Sequence, residues 1–505
     1  MPSPGEGLRL TELLASLSLA TDLGTGQPMG HGLRTSLIAV ALARTMGLDD
    51  DRVRCVQQVA LLRFVGCTAD AYLTARSTGG DEISFNASMA PYLNGSLLGV
   101  MTGIFKGVAP GESLLRKTTA TLASIREPAD SGLAAHCEVA AMLARRLRLD
   151  DRVITALQAA YERWDGKGLP TGLRGEDVPI EVRINSVAKD VDLFSAMGAD
   201  IGEILEDRRG KGYDPTVVDA FREATVTVPE ADWDEVLAAE PRPVSYLDDL
   251  DTALSVVADF VDLKSPWTRG HSHRVADLAT GAAREAGLSS GVEDDLRRAA
   301  LVHDVGRVGI ENGIWDKPGP LSTDEWEKVR MHPYLTQRIL ARCPQLASLA
   351  VLASSHHERL DGSGYHRQSV ADFLPVEARL LAAADVLAAL TAERPHREAM
   401  DLSAASADIR AEVDAGRLDR RAVECVIAAA GGEGQEAGWA NPDGLTDREV
   451  EVLQVMTRGL TNREMAEELF ISPKTVGRHI ENIYAKIGVS TRAGAAVYAM
   501  EQRLL

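Results

Sequence analysis

Histidines are concentrated in one stretch of the chain. Eight of the eleven histidines fall between His271 and His396. A solvated helical surface has no need for that density of imidazoles, whereas a metal site does. Within this stretch, histidines and carboxylates that suit a metal recur in a fixed order. The candidate ligands are His271, His303, Asp304, His332, His356, His357 and Asp385.

These seven side chains predict a site for two metal ions. Imidazole with carboxylate suits a first-row transition metal, and seven ligands are too many for one closed tetrahedral zinc site. Because adjacent helical residues point about 100° apart, the pairs His303-Asp304 and His356-His357 can each serve two neighbouring ions. Two ions that share a carboxylate can activate water and stabilise both oxygens of an in-line phosphoryl displacement. Phosphoryl displacement is therefore the expected chemistry.

Helices must position these ligands. Apolar residues recur at helical spacing along most of the chain, as in Val275, Leu278, Ala279, Ala282 and Ala283. The sequence shows no sustained alternating pattern of a strand, and aromatic residues make up only 5%. The sequence predicts an all-α fold.

An internal repeat links the ligand-bearing stretch to the first part of the chain. The segment YERWDGKGLP at 161–170 is similar to HERLDGSGYH at 357–366, an offset of 196. Upstream the offset is 240, which relates GHGLR at 30–34 to GHSHR at 270–274. The difference of 44 predicts an insertion in the first copy, within about residues 68–136.

The chain is long enough for about three domains. An acidic, proline-bearing stretch and a glycine-rich polar stretch mark the breaks between them. The predicted parts are a degenerate first copy at 1–248, a ligand-bearing copy at 249–430, a flexible linker at 431–443 and a C-terminal module at 444–505.

The middle domain resembles the HD-GYP proteins, a branch of the HD superfamily of metal-dependent phosphohydrolases. The segments GHSHRVADLA, LVHDVGRVGI, MHPYLTQRIL and SSHHERLDGSGYH carry the resemblance, which covers roughly 251–400. It implies a helical bundle with a di- or trinuclear iron or manganese centre, and hydrolysis of cyclic di-GMP as the best-known activity. The glutamate of trinuclear members is Trp267 here, which favours two divalent ions. The family's ligand positions fall on the seven residues named above.

The resemblance also implies roles for residues near the ions. Asp304 and Arg307 fall on catalytic positions of the family. The expected contacts to substrate phosphate come from Lys317, Arg394 and Arg397.

The first copy lacks most of the ligands. Its seven corresponding positions hold His31, Arg63, Phe64, His136, Ala160, Tyr161 and Lys189. Five ligands are replaced, two of them by cations. Because metal affinity needs both ligand number and charge balance, we expect no metal in this copy. Two roles stay open: sensing or dimerisation by a pseudo-enzyme, or a purely structural domain.

The C-terminal module has the pattern of a helix-turn-helix. Thr446 with Glu449 and Thr461 with Glu464 are capping boxes that begin two helices. Ser472 caps a longer third helix that begins with proline. Over about 60 residues the module resembles the LuxR/FixJ-type DNA-binding domain, through LTDREVEVL, GLTNREMAEELFIS and KTVGRHIENIYAKIGV.

The third helix of this module carries the local charge that DNA binding needs. The whole chain has a net charge of −20, which repels nucleic acid. Between Ser472 and Arg492, however, four Lys or Arg face one Glu, a local charge of +3. The alternative is that this is an ordinary solvated helix face. The resemblance places six side chains toward double-stranded DNA: Lys474, Thr475, Arg478, His479, Asn482 and Lys486.

Cysteines and apolar stretches bear on location. The five cysteines are scattered and form no CxxC pair, which is typical of a reduced cytosolic chain. No apolar stretch approaches the roughly 18–20 residues that span a bilayer, and no signal peptide is evident. We expect a cytoplasmic protein without a membrane partner, which binds DNA as a homodimer.

Three positions depart from the HD-GYP pattern. Arg307 stands for a lysine, His366 for the proline of GYP, and Ala388 for an aspartate. Two functions therefore stay open. One is a DNA-binding regulator with a phosphodiesterase domain for a cyclic dinucleotide, such as cyclic di-GMP, or a related nucleotide. The other is a transcription factor whose HD domains only sense a ligand or metal, or dimerise.

Overall fold

The computed structural model describes residues 7–95, 97–108, 129–224, 228–431, 442–502 and 504–505. The chain divides into two compact units, Met1–Ala253 and Leu254–Leu505. In the described residues β-structure is confined to isolated bridges, so the prediction of an all-α fold is confirmed. Most of the predicted linker at 431–443 lies outside the described residues, as does the part of the predicted insertion at 109–128.

The first unit is built from helices joined by short turns. They are α1 (Leu10–Gly24), α2 (His31–Thr45), α3 (Asp50–Leu62), α4 (Ala71–Thr78), α5 (Glu82–Met89), α6 (Leu97–Gly107), α7 (Ala129–Arg146), α8 (Asp151–Gln158), α9 (Ile180–Ala196), α10 (Ile201–Arg208), α11 (Pro215–Glu223) and α12 (Trp233–Ala239).

The second unit repeats part of this order and adds four helices at its end. Its helices are α13 (Leu250–Asp262), which starts before the unit boundary, α14 (His271–Glu285), α15 (Ser290–Val302), α16 (Asn312–Trp315), α17 (Thr323–Arg330), α18 (His332–Leu340), α19 (Ala347–Ala353), α20 (Val376–Leu390), α21 (Leu402–Asp414), α22 (Arg420–Gly431), α23 (Asp447–Thr457), α24 (Asn462–Glu468), α25 (Pro473–Ile487) and α26 (Arg492–Glu501).

Helix boundaries follow the sequence repeat. Helices α2 and α14 have the same length and start 240 residues apart, as do α3 and α15. Helices α9 and α20 start 196 residues apart. In the first unit α2 packs against α3 and α9, and in the second α14 packs against α15 and α20. The two copies therefore share one packing scheme.

Small residues allow close contact between the ligand-bearing elements. A Cβ atom on Gly306 would lie 2.1 Å from the carbonyl oxygen of His332, and one on Gly66 would lie 2.0 Å from that of His136. Real Cβ atoms do not approach that closely, so both positions require glycine. In each copy the turn after the third helix of the repeat is thus docked on the backbone of a histidine.

The last domain forms its helices at the predicted caps. The side chains of Thr446, Thr461 and Ser472 each accept a hydrogen bond from the backbone N–H three residues later. Val476 and Ile483 of α25 are fully buried against α23 and α24, in a core that Met456 and Met465 share. This packing leaves the opposite face of α25 exposed.

Candidate metal centre and nucleic-acid interface

His271 is the first residue of α14. The chain enters the helix through Gly270, whose φ of +71° lies in the left-handed region that favours glycine. The buried carboxylate of Asp262 accepts hydrogen bonds from the backbone N of Ser272 at 2.9 Å and from its Oγ at 2.8 Å. This cap satisfies an N–H group that the first helical turn leaves without a partner. It fixes the start of the helix that presents His271.

Three histidines are held in the same tautomer. The Nδ1 atoms of His303, His332 and His356 lie 2.7, 2.6 and 2.6 Å from the backbone carbonyl oxygen of the residue three positions earlier. A carbonyl oxygen only accepts hydrogen bonds, so Nδ1 of each ring carries a proton, and in the neutral ring Nε2 presents a lone pair. This is the arrangement in which a backbone carbonyl orients a metal-binding imidazole.

Asp304 lies between two groups of candidate ligands. Its Oδ1 is 3.4 Å from Nε2 of His332 and 3.6 Å from Nε2 of His356. Its Oδ2 is 3.7 Å from Nε2 of His303. One carboxylate oxygen therefore faces each group. The first group is His332, His356 and His357. The second is His271 and His303 together with Asp304 itself. Within each group the ligand atoms lie within 4.8 Å of one another.

Asp385 of α20 joins the same two groups from another helix. Its Oδ1 lies 3.2 Å from Nε2 of His271 and 3.8 Å from Nε2 of His303. Its Oδ2 lies 3.9 Å from Nδ1 of His357. All seven side chains singled out in the sequence thus meet in one buried cluster, with two carboxylates between the imidazoles.

Burial keeps four of these imidazoles neutral, those of His271, His332, His356 and His357. It lowers the pKa of His271 and His332 to about 4 and that of His356 to about 3. The pKa of His357 is also held well below its ordinary value by burial and by the neighbouring His356. Neutral imidazole is the form that binds a metal.

The two carboxylates remain ionised. Burial alone would raise the pKa of Asp304, but His303 and Arg307 hold it well below its ordinary value. Burial is likewise outweighed at Asp385, where the hydrogen bond with His271 holds the pKa well below the ordinary range. The cluster therefore offers neutral nitrogens and negative oxygens to a cation.

The contacts within the cluster fit metal ions better than hydrogen bonds. The Nε2 atoms of His332 and His356 lie 3.0 Å apart, and each presents a lone pair rather than a proton. Two lone pairs at that distance repel each other, and a cation bound by both removes the repulsion. Nε2 of His303 and Nδ1 of His271 are buried without a hydrogen-bond partner. Such atoms are costly unless a ligand or ion completes them.

Comparisons with known proteins agree with this chemistry. The family profile described as HD domain matches residues 126–217 and 255–422, which together are about half of the chain. The 3′3′-cGAMP-specific phosphodiesterase 3 of Vibrio cholerae serotype O1 is 31% identical over 414 residues, covering 79% of this chain and 90% of the relative.

The chain belongs to the HD-domain family.

Both copies of the repeat are HD domains, since the profile matches parts of each. The profile of bacterial regulatory proteins of the luxR family matches residues 443–499. The chain thus carries an HD domain of the metal-dependent phosphohydrolase type, homologous to cyclic-dinucleotide phosphodiesterases, fused to a LuxR-type DNA-binding domain. In the described residues no helix is both long and apolar enough to cross a bilayer.

Two further likenesses support this assignment. A crystal structure of a cyclic GMP-AMP-specific phosphodiesterase of Vibrio cholerae aligns with a TM-score of 0.57 at 28% identity, covering 84% of this chain and 98% of that one. The cyclic di-GMP phosphodiesterase response regulator RpfG of Xanthomonas campestris pv. campestris is 33% identical over 200 residues, 38% of this chain and 52% of the relative.

Two arginines lie beside the ligand cluster of the second HD domain. Arg307 donates from Nη1 to Oδ2 of Asp304 at 3.1 Å, and its guanidinium lies 3.8 Å from the ring centroid of Trp315. Arg394 donates to the carbonyl oxygen of Trp267 at 3.2 Å. Burial, with the nearby Arg307, lowers the pKa of Arg394 to about 10, so it stays charged at neutral pH.

The other two cations expected near substrate phosphate have protein partners. Lys317 pairs with both carboxylate oxygens of Glu325, at 2.9 and 2.7 Å. Arg397 donates to the carbonyl oxygens of Ala389, Leu390 and Glu398 at 2.7–2.8 Å, which caps the end of α20. A phosphate group would have to compete with these contacts.

Sequence reasoning did not single out the aromatic neighbours of the cluster. Trp315 stacks on Arg307, and the ring of Tyr365 lies 4.7 Å from that of His357. It also missed Asp262, which caps α14. Asp22 occupies the equivalent position at the offset of 240 and accepts hydrogen bonds from the backbone N of Gly30 and Gly32. The recurrence of an aspartate at this offset was the sequence signal that could have identified the cap.

In the first HD domain the two retained histidines are bound to carboxylates. Nδ1 of His31 lies 2.6 Å from Oδ2 of Asp192, and Nε2 of His136 lies 2.6 Å from Oδ1 of Asp70. Within the described part of the chain, groups of three or more donors at ligand spacing occur only in the second HD domain. The first site thus contains histidine–carboxylate hydrogen bonds where the second has metal-binding donors.

The LuxR-type domain exposes most of the predicted DNA-contacting side chains. Lys474, Thr475, Arg478 and Asn482 lie on the exposed face of α25, and His479 is half-buried. Lys486 is exposed at the end of that helix and is also bound. Its Nζ lies 2.6 Å from Oε2 of Glu449 and 2.8 Å from the carbonyl oxygen of Gly444, so it ties α25 to the start of α23.

Proposed function

We propose that the second HD domain hydrolyses a phosphodiester bond of a cyclic dinucleotide, and that the protein couples this domain to DNA binding. The observation that carries the proposal is the carboxylate of Asp304, whose two oxygens face two separate groups of imidazoles. Relatives with this domain are named as phosphodiesterases for 3′3′-cGAMP or cyclic di-GMP. These nucleotides are therefore the substrates to test.

The ligands would hold two transition-metal ions, iron or manganese, in two subsites. Asp304 and Asp385 serve both subsites, and the histidines divide between them as the distances indicate. Ions bound there polarise a phosphodiester and make a water molecule a better nucleophile.

The cations of the chain would orient the substrate. Arg394 is charged and its guanidinium has a single described hydrogen bond, to the carbonyl oxygen of Trp267, so we assign it the first contact to the substrate phosphate. Arg307 would hold Asp304 in place through its bond to Oδ2, while stacking on Trp315 fixes the guanidinium plane. Lys317 and Arg397 would contact the substrate only after exchanging their protein partners.

The DNA-binding part is proposed on the exposed face of α25. Its side chains would contact phosphates and base edges in the major groove. A homodimer would bind two half-sites about one helical turn apart. The domain borders at 248/249 and around 431–443 belong to the same proposal.

The decisive experiment measures turnover and binding together. Full-length protein loaded with manganese or with iron is incubated with cyclic di-GMP and with 3′3′-cGAMP, and linear products are quantified beside the Asp304→Ala variant. Hydrolysis by the parent protein alone supports the phosphodiesterase. If both nucleotides bind and neither is cleaved, the alternative holds, a transcription factor whose HD domain senses a ligand.

A further inference from the structure

Cations stand in the first HD domain where the second has metal ligands. Arg63 takes the position of His303 and is only 3% exposed. Lys189 takes the position of Asp385 and is 1% exposed. Arg208 of α10, which is half-buried, pairs with the residue next to Lys189 and completes a group of three basic side chains. At these two ligand positions the first domain therefore has basic side chains where the second has an imidazole and a carboxylate.

One carboxylate lies among these cations. Asp190 pairs with Lys189 and accepts a hydrogen bond from Nη1 of Arg208 at 2.9 Å. It also accepts hydrogen bonds from the Tyr213 hydroxyl and from Nδ2 of Asn94. Asp190 is thus bonded by four groups, and none of them is Arg63.

The remaining acceptors are neutral. The carbonyl oxygen of Ala90 accepts from Nζ of Lys189 at 3.3 Å, and that of Pro91 accepts from Nη2 of Arg208 at 2.8 Å. Both carbonyls lie within residues 68–136, the range in which the insertion is predicted. Because these carbonyl oxygens carry no full charge, the oxygens of an anion bind the cations more strongly than the carbonyls do. An anion can therefore replace the carbonyls.

Arg63 is buried, and two of the three nitrogens of its guanidinium have no acceptor. Its Nε and Nη1 have no hydrogen-bond partner, and its guanidinium carbon lies 5.9 Å from the ring centroids of both Phe64 and Tyr161. Burying a guanidinium in this way is costly unless an anion completes it. The planar N–H fork of arginine matches two oxygens of a phosphate group.

We propose that the first HD domain binds a phosphate-bearing anion on Arg63, with Lys189 and Arg208 as flanking cations. Fixed cations here stand at the ligand positions that would hold metal ions in the second domain. They keep the attraction for a phosphate oxygen but supply no means to cleave the ester. The proposal concerns the first domain and stands whether or not the second domain turns over a substrate.

Two probes and a matched pair of variants test the site. The full chain carrying Asp304→Ala serves as the parent, so that hydrolysis does not consume the probe. Inorganic phosphate and cyclic di-GMP are titrated by calorimetry into the parent, into the parent with Arg63→Met, and into the parent with Arg152→Met. Arg152 is a cation of the same unit that is 44% exposed and paired with Asp150, so it controls for loss of charge.

We expect Arg63→Met to weaken probe binding by about tenfold or more, as for loss of a charge-assisted hydrogen-bonded pair, and Arg152→Met to leave it unchanged. Phosphate binding that depends on Arg63 identifies free phosphate as a sufficient ligand. Arg63-dependent binding of cyclic di-GMP alone identifies a nucleotide phosphodiester.

Thermal unfolding without probe separates a ligand-binding role from a structural one. Removing an unpaired buried charge should leave the midpoint of Arg63→Met equal to that of the parent, or raise it. If Arg63→Met fails to fold, Arg63→Lys, which keeps the charge without the planar fork, is used in its place and should bind phosphate more weakly than the parent. Equal probe affinity in the parent and the position-63 variant, or no binding of either probe to the parent, would overturn the proposal.

Discussion

The two HD domains show what stays the same when most metal-ligand positions hold other residues. Their helices start at constant offsets, and Gly66 and Gly306 make the same close contact with the backbone of a histidine. The sites differ at single positions: Asp385 of one is Lys189 of the other, and both are buried. The scaffold thus depends on backbone packing and helix caps, and the chemistry depends on a few side chains that the scaffold tolerates in either charge state.

The two sites also differ in how the negative charge of their carboxylates is compensated. In the second domain two carboxylates lie among neutral imidazoles, and cations from solution can balance them. In the first domain Asp190, Asp192 and Asp70 each pair with a basic side chain of the chain itself. In the first domain basic side chains of the chain compensate the carboxylates, in place of cations from solution.

The largest expected effect comes from removing the shared carboxylate. Asp304→Ala should lower hydrolysis of a cyclic dinucleotide by more than about 100-fold, the upper range for losing a residue that merely supports a metal ligand. Helical circular dichroism should stay close to that of the parent, because the side chain bonds to ligands rather than to the scaffold. Asp372→Ala, an exposed carboxylate of the same domain, is the control and should keep full activity. Activity that persists in Asp304→Ala would exclude metal-based hydrolysis at this site.

Metal content tests the difference between the two domains directly. Elemental analysis of the full chain should find about two transition-metal ions, as in two-metal phosphoryl-transfer sites. His332→Ala should release at least one of them. His136→Ala, the matching change in the first domain, should leave the content unchanged, because His136 is bound to Asp70 and Tyr161. Equal losses from the two variants would show that the first domain also binds metal.

Removing the aspartate that caps the histidine-bearing helix should lower stability by a similar amount in both domains. Only in the second domain should it also weaken metal binding. Asp262→Ala and Asp22→Ala each remove a buried acceptor of backbone N–H groups, at about 1–2 kcal/mol in the free energy of unfolding. Asp262→Ala should also weaken metal binding, because the start of α14 carries His271. Urea unfolding and metal titration of the two variants check this. If Asp262→Ala bound metal as tightly as the parent, the cap would not position the ligand.

The smallest expected effects concern DNA. Arg478→Ala removes an exposed cation of α25 and should weaken binding evenly across sequences, with a salt slope lower by about one. Lys486→Ala should weaken DNA binding less and destabilise the domain more, because the ammonium also holds Glu449. Electrophoretic shift assays over a salt series, with thermal unfolding alongside, measure both. A sequence-dependent loss in Arg478→Ala would instead assign that arginine to a base edge.

Most of the fold could be predicted from local sequence signals. Thr446, Thr461 and Ser472 begin helices where the capping patterns predicted them, since a cap is set by residues within one turn. The order of histidines and aspartates predicted the ligand cluster, and the repeat indicated which positions the first domain had lost. The partners of charged side chains could not be predicted in this way. Lys486 bonds to a residue 37 positions away, and Lys189 to a carbonyl 99 positions away, so both contacts depend on how helices pack.

The bonds from His303, His332 and His356 to carbonyls of their own preceding turn have a consequence for ancestry. Each ring takes its orientation from a four-residue piece of chain, so replacing one histidine leaves the other two aimed as before. A duplicated domain could therefore shed its ligands one substitution at a time while every intermediate protein still folded. The same hydrogen bonds that fix the rings in the metal centre also allow a duplicated domain to lose its ligands without losing its fold.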